Sequence, residues 1–118
     1  MKKNKIAIIG LGYVGLPLAR LFATKYSVVG FDINTERIAE LMSGVDSTLE
    51  VDSETLQSVL VNENADSIGL FCTNELDKIK DCNYYITTVQ LIIHYIIHYN
   101  IPYVLCVLGY YKVVYYIT

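Results

Sequence analysis

The stretch KIAIIGLGYVGLPLARLFATKYSVVGFDI, residues 5–33, decides how the first part of this chain folds. Residues 6–9 are a short apolar run, typical of a strand that is buried on both faces of a parallel sheet. The run leads into the pattern G-x-G-x-x-G at Gly10, Gly12 and Gly15. A second apolar run, residues 27–31, ends at Asp32. This order of features predicts a strand, a glycine turn, a helix and a second strand.

Each glycine has a separate expected role in such a turn. Gly10 permits the tight turn itself, and Gly12 lets the backbone approach a pyrophosphate where a Cβ would collide with it. Gly15 allows the helix to pack closely on the strand. The helix is expected to open near Tyr13 and to direct its free N–H groups at the phosphates. The pattern therefore predicts a dinucleotide site.

Asp32 stands where a carboxylate accepts hydrogen bonds from an adenosine ribose. Because a carboxylate there repels a 2′-phosphate, we expect NAD to be favoured over NADP. Arg37 slightly weakens the expectation of NAD over NADP, since an arginine close by can bind a 2′-phosphate. On the helix, Val14, Leu18 and Leu21 share one face, which we expect to pack on the sheet.

Two other interpretations of the glycine stretch remain open. Basic residues before position 6 and the apolar residues 6–19 resemble a secretion signal, although three glycines and a proline interrupt the apolar part. Alternatively, the glycines form a purely structural turn and Asp32 caps a helix.

The middle of the chain predicts more alternating helices and strands. We expect a helix at 34–43 capped by Asn34, a helix capped by Ser53 and a helix at 73–80. Strands are expected at 68–72 and 83–89. The fold class is therefore α/β, a Rossmann-type parallel sheet with flanking helices, present as the first half of a doubly wound domain. His94 and His98 lack a further ligand at metal spacing, so no metal site is expected.

Three segments resemble the N-terminal domain of the UDP-glucose/GDP-mannose 6-dehydrogenase family. They are KIAIIGLGYVGLPLA at 5–19, VVGFDINTERIAELMSGVDSTLEV at 28–51 and DKIKDCNYYITTV at 77–89. The resemblance implies an NAD-dependent oxidation of a nucleotide-sugar C6 alcohol to the uronic acid, for surface polysaccharide. It implies that the pyrophosphate is surrounded by five residues of the turn: Gly10, Gly12, Tyr13, Val14 and Gly15. It also implies that Asp32 holds the ribose and that Arg37 lies near the adenosine.

The chain departs from the family pattern after Val89. The family continues with V-P-T-P, but Gln90 and Leu91 follow here. The later cofactor motif and the motif around the family's catalytic cysteine are also missing. None of Cys72, Cys82 and Cys106 lies in such a motif, so no catalytic residue is nominated.

Residues 90–118 differ sharply in composition from the rest. Lys112 is the only charged residue after Cys82, and nine of the eleven tyrosines lie beyond that cysteine. This tail is interpreted as the product of a shifted reading frame, as a membrane span at 90–111, or as a β-rich domain end with strands at 104–108 and 112–117. We therefore expect an NAD-binding domain at 1–89 and an atypical hydrophobic tail at 90–118.

The predicted function is that of the NAD-binding fragment of a nucleotide-sugar dehydrogenase, inactive alone. A self-contained, non-catalytic dinucleotide-binding or regulatory module is the alternative, and a small membrane-anchored protein is a weaker one. A net charge of −3 gives no reason to expect nucleic acid. We expect a cytoplasmic protein, no membrane partner, and in the parent enzyme a nucleotide-sugar substrate, with homo-oligomer formation as an option.

Overall fold

The computed structural model describes residues 4–63, 67–88, 103–108 and 111–116. Within these residues six strands form one sheet in the order β3-β2-β1-β4-β5-β6. The first five strands run parallel along their pairings, and β6 is antiparallel to β5. The elements are β1 (Lys5–Ile9), α1 (Gly15–Phe22), β2 (Ser27–Phe31), α2 (Thr35–Met42), α3 (Ser53–Val59), β3 (Gly69–Thr73), a 3-10 helix (Leu76–Ile79), β4 (Tyr84–Thr87), β5 (Tyr103–Leu108) and β6 (Tyr111–Tyr116).

The strands β1 to β4 contribute buried residues to both faces of the sheet, because alternate residues of a strand point to opposite sides. On one face, Ile6 and Ile8 of β1 pack in a core that also takes residues from α1, α2 and α3. On the other face, Ala7 and Ile9 pack with Ile79 of the 3-10 helix. This confirms the predicted α/β fold with helices flanking a parallel sheet.

The rotation of α1 differs from the prediction. The face formed by Val14, Leu18 and Leu21 was expected to be buried, but Val14 and Leu21 are exposed. Leu16 and Ala19 are buried, and Leu18 is partly buried against the same core, so the prediction holds for Leu18 alone. The start of α1 lies close to the backbone of the turn that precedes it, since a Cβ on Gly15 would meet Gly10 O.

Two helix starts test the predicted caps. Asn34 caps α2 as expected, because its Oδ1 accepts from the N–H of Arg37 at 3.1 Å. For α3 the predicted cap, Ser53, is wrong. Asp52 is the cap and accepts from the N–H of Thr55 at 2.8 Å, so Ser53 is the first helical residue.

Strands β5 and β6 lie in the tail. They correspond to the strands expected for a β-rich domain end, and residues 103–108 form a strand where the membrane interpretation required a helix. Within the described ranges, none of the helices combines the length and the apolar character needed to cross a bilayer. Residues 89–102, with both histidines, lie outside the described residues. The boundary between residues 89 and 90 stays a prediction.

The secretion-signal interpretation is not compatible with this fold. Its apolar part, residues 6–19, supplies most of β1 and the first residues of α1. β1 lies between β2 and β4, and its residues 6–9 are all buried. The sheet needs this segment at its centre.

Candidate functional site

The carboxyl ends of β1, β2 and β4 meet at one edge of the sheet. Gly10 follows β1, Asp32 follows β2, and Thr88 follows β4. The order of the strands in the sheet changes direction at β1: β2 and β3 lie on one side of it, and β4 lies on the other. Parallel α/β sheets bind ligands in the crevice outside such a reversal point.

The glycine turn, residues 10–15, passes from β1 into α1. Gly10 has φ +96°, a conformation that residues with a side chain rarely adopt, and its N–H donates to Phe31 O at 2.8 Å. A Cβ on Gly15 would lie 1.6 Å from Gly10 O, so the helix can start this close to the turn only with glycine there. A Cβ on Gly12 would meet nothing within 4 Å. Gly12 is thus not required by packing among the described residues.

The turn exposes backbone donors. No acceptor from the described residues reaches the N–H groups of Gly12, Tyr13 and Val14. These groups lie directly before α1, and the dipole of the helix favours an anion at that end. The side chains of Tyr13 and Val14 are 68% and 42% exposed beside these donors. Backbone N–H groups without a partner among the described residues are the donors that a pyrophosphate requires.

Asp32 connects the end of β2 to the glycine turn. Its Oδ2 accepts from the N–H of Leu11 at 3.0 Å, and its Oδ1 accepts from the N–H of Asn34 at 2.9 Å. An ionised carboxylate has about four acceptor positions, so these two bonds leave capacity for a ligand. The side chain is partly exposed, which keeps that capacity accessible.

Arg37 binds the backbone carbonyl of Leu11. Its Nε donates to Leu11 O at 2.8 Å, while Nη1 lies 2.8 Å from Asp46 Oδ1 and 3.0 Å from Glu40 Oε2. Burial alone lowers the pKa of the guanidinium, but its hydrogen bonds to Asp46 and Glu40 outweigh burial and leave the pKa raised. The charged Arg37 side chain therefore stabilises the turn through its hydrogen bond to Leu11 O.

Thr88 was missed by the sequence reasoning. Its Oγ1 lies 3.1 Å from Ile9 O and 3.0 Å from Gly10 O and can donate to either. Its N–H also donates to Ile9 O at 2.9 Å. The available signal was a polar residue after an apolar strand. Thr88 closes the turn from the β4 side.

The predicted site residues therefore come together. Gly10, Asp32 and Arg37 are linked through the backbone of the turn, and Gly12 to Gly15 complete it. Their contacts with a cofactor stay predictions. Cys72 and Cys82 are buried, and burial raises the pKa of both thiols to about 12. Neither has the properties of a nucleophile.

Fold and turn together define a Rossmann-type, dinucleotide-binding domain. Comparison with solved structures agrees. Lactate dehydrogenase from Cryptosporidium parvum superposes with a TM-score of 0.60 over 92% of this chain and 36% of that chain, and at 20% identity the likeness shows the fold alone. UDP-D-ManNAc dehydrogenase from Pyrococcus horikoshii superposes with a TM-score of 0.58 at 36% identity, over 72% of this chain and 20% of that one.

The sequence comparisons identify the family. Residues 4–104 match the model of the UDP-glucose/GDP-mannose dehydrogenase family, NAD binding domain. The chain belongs to this family, and NAD is the cofactor of its domain. It is 51% identical over 89 residues to UDP-N-acetyl-D-glucosamine 6-dehydrogenase from Pseudomonas aeruginosa. The aligned region covers 75% of this chain and 19% of that protein. The chain thus spans about a fifth of the length of such curated relatives.

Proposed function

We propose that this chain is the NAD-binding part of a nucleotide-sugar dehydrogenase that oxidises the C6 alcohol of a UDP-sugar to the uronic acid. In this proposal the protein is cytoplasmic and supplies uronic acids for surface polysaccharide. The dehydrogenase relatives named above support the substrate class. The Staphylococcus aureus relatives CapL and Cap5O support the link to polysaccharide.

The observation that carries the proposal is the glycine turn with its three free N–H groups. Gly10, Gly12, Tyr13, Val14 and Gly15 surround the pyrophosphate, and the N–H groups of Gly12, Tyr13 and Val14 donate to it. Asp32, on the next strand, accepts from the ribose hydroxyls, and Arg37 stands on the adenosine side of the turn. When bound, NAD supplies the hydride acceptor. The chain's own residues bind and orient its adenosine and pyrophosphate.

The chain alone is proposed to lack dehydrogenase activity. Oxidising an alcohol through to an acid needs a base and a nucleophile that retains the aldehyde, as well as a hydride acceptor. Cys72 and Cys82 are buried thiols with raised pKa values, and Cys106 lies in no recognisable motif. The V-P-T-P motif is also missing after Val89, and we interpret its absence as the sign of a truncated or frame-disrupted gene.

Calorimetric titration of the 118-residue chain with NAD and NADP tests the binding, and NADH absorbance with each of several UDP- and GDP-sugars tests the turnover. We expect NAD to bind more tightly than NADP and no NADH to form above a heat-denatured control. Equal affinity for the two cofactors contradicts the assigned site. Steady turnover contradicts the fragment interpretation.

A self-contained NAD-binding module is the second candidate. It is favoured by strands β5 and β6, which extend the same sheet by two strands. The encoding DNA distinguishes the two. If another reading frame after codon 89 restores V-P-T-P, the fragment is supported; if none does, the module is.

A further inference from the structure

The loop between α2 and α3, residues 43–52, contains a buried carboxylate that the proposed function does not use. The side chain of Asp46 has no exposed surface. Its Oδ2 accepts from the N–H groups of Glu50 and Val51, each at 3.0 Å. Its Oδ1 accepts from Thr48 through both the N–H, at 3.0 Å, and the Oγ1 hydroxyl, at 2.6 Å.

These bonds keep Asp46 charged. Burial on its own raises the pKa of the carboxyl, but the hydrogen bonds from Thr48, Val51 and Arg37 outweigh it and lower the pKa to about 2. Glu40 is ionised as well, since bonding from Ser47 and Arg37 lowers its pKa. Two carboxylates therefore face one guanidinium at neutral pH, and the group carries a net charge of about −1.

Arg37 presents no exposed, unpaired donor to a ligand in this arrangement. Nε is used by Leu11 O, and Nη1 is shared by Asp46 and Glu40. Nη2 is buried and finds no partner among the described residues. The whole side chain is only 10% exposed. An arginine that grips a phosphate offers two parallel N–H groups at a surface, and Arg37 offers none.

We propose that Asp46, together with Glu40, is a positioning residue that holds Arg37 on the glycine turn and thereby excludes the 2′-phosphate of NADP. The inference rests on the proposed NAD site. Arg37 lies five residues after Asp32, in the first turn of α2, where an arginine could otherwise turn toward a 2′-phosphate. Asp46 prevents this by occupying Nη1, and together with Glu40 it more than neutralises the charge of the guanidinium. Cofactor choice thus depends on a residue that need not touch the cofactor.

The test measures dissociation constants for NAD and NADP by calorimetry on the 118-residue chain and its variants. In Asp46→Asn/Glu40→Gln the guanidinium loses both anionic partners. We expect the ratio of NADP to NAD affinity to rise about tenfold, because a charged hydrogen bond to phosphate contributes roughly that factor. The rise should vanish when Arg37→Gln is added, since the effect acts through Arg37.

Asp52→Asn is the matched control. Asp52 lies in the same loop and also has a lowered pKa, caused mainly by its bonds from Thr55, but no hydrogen bond joins it to Arg37 among the described residues. It should change stability and leave the affinity ratio unchanged. A purely structural role of Asp46 would weaken both cofactors equally, so the ratio separates positioning from folding.

Circular dichroism establishes which variants fold. If Asp46→Asn unfolds, Glu40→Gln decides, because Glu40 is partly exposed and its change should still raise the ratio about threefold. An unchanged ratio in a folded variant that binds NAD overturns this inference and leaves the proposed function standing. A parent chain that binds neither cofactor overturns both.

Discussion

Gly12 and Gly15 belong to one motif, yet the structure predicts opposite effects for the same substitution. In Gly15→Ala the new Cβ would lie 1.6 Å from Gly10 O and 2.8 Å from Gly10 C, whereas real Cβ contacts essentially never fall under 3.0 Å. Both neighbours are backbone atoms of a turn, which cannot move aside like a flexible side chain. To bring the contact with Gly10 O up to 3.0 Å, α1 must move away by about 1.4 Å.

Overpacking of this kind costs about 3 kcal/mol, and the gain in helix propensity from glycine to alanine offsets at most about 1 kcal/mol. We therefore expect Gly15→Ala to lower the free energy of unfolding by about 2 kcal/mol. With a urea dependence of about 2 kcal/mol/M, the unfolding midpoint should fall by about 1 M. Gly12→Ala should stay within about 0.5 kcal/mol of the parent, since its Cβ enters open space.

At Gly12 the substitution should instead weaken NAD binding. Its Cβ would stand in the space assigned to the pyrophosphate, so NAD affinity should drop at least about tenfold while the fold is retained, and Gly12→Val should abolish binding. Urea unfolding followed by circular dichroism, with calorimetry for NAD, measures both effects. A Gly12→Ala chain that binds NAD like the parent, or a Gly15→Ala chain with an unchanged midpoint, would refute the reasoning.

Two further predictions concern carboxylates. Asp32→Ala should weaken NAD binding and narrow the gap between NAD and NADP in calorimetry, because the group that accepts from the ribose and repels a 2′-phosphate is removed; an unchanged gap would contradict this. Asp46 has a folded pKa of about 2, below its unfolded value, so its contribution of about 2 kcal/mol is present above pH 4 and is lost as the pH falls toward 2. The difference in urea stability between the parent and Asp46→Asn should therefore shrink between pH 6 and pH 2.5, and a constant difference would show that the Asp46 carboxylate is not held as the structure indicates.

Local signals in the sequence were enough to predict β1, α1, β2 and α2. The glycine spacing, the apolar runs and the Asn34 cap each depend on neighbours within a few residues. The burial of α1 was predicted wrongly for Val14 and Leu21, which apolar periodicity placed on the buried face and which are exposed. The close approach of Gly15 to Gly10 O shows that the helix packs through its small residues, which a count of apolar residues does not register.

The buried role of Asp46 could not be read from the sequence either. An acid in the segment GVDSTLEV is usually a solvated loop residue, and its partner Arg37 lies nine positions earlier on another element. Only the folded loop, which brings the N–H groups of Glu50 and Val51 around one carboxylate, makes burial of that charge favourable. The segment that resembles the family contains Asp46 and Thr48, but their spacing does not identify Arg37 as the partner of Asp46.

The two side chains that grip Leu11 affect how each variant is interpreted. Asp32 accepts from the N–H of Leu11 and Arg37 donates to its C=O, so the turn is held in shape from both sides by protein groups alone. A turn held in this way does not have to be ordered by the cofactor, which removes part of the entropic cost of binding. Asp32 consequently has two roles, bracing the turn and meeting the ribose, and Asp32→Ala removes both. A Cβ on Gly12 meets no other described residue, so its substitution perturbs the ligand space alone and gives the cleaner measure of cofactor contact.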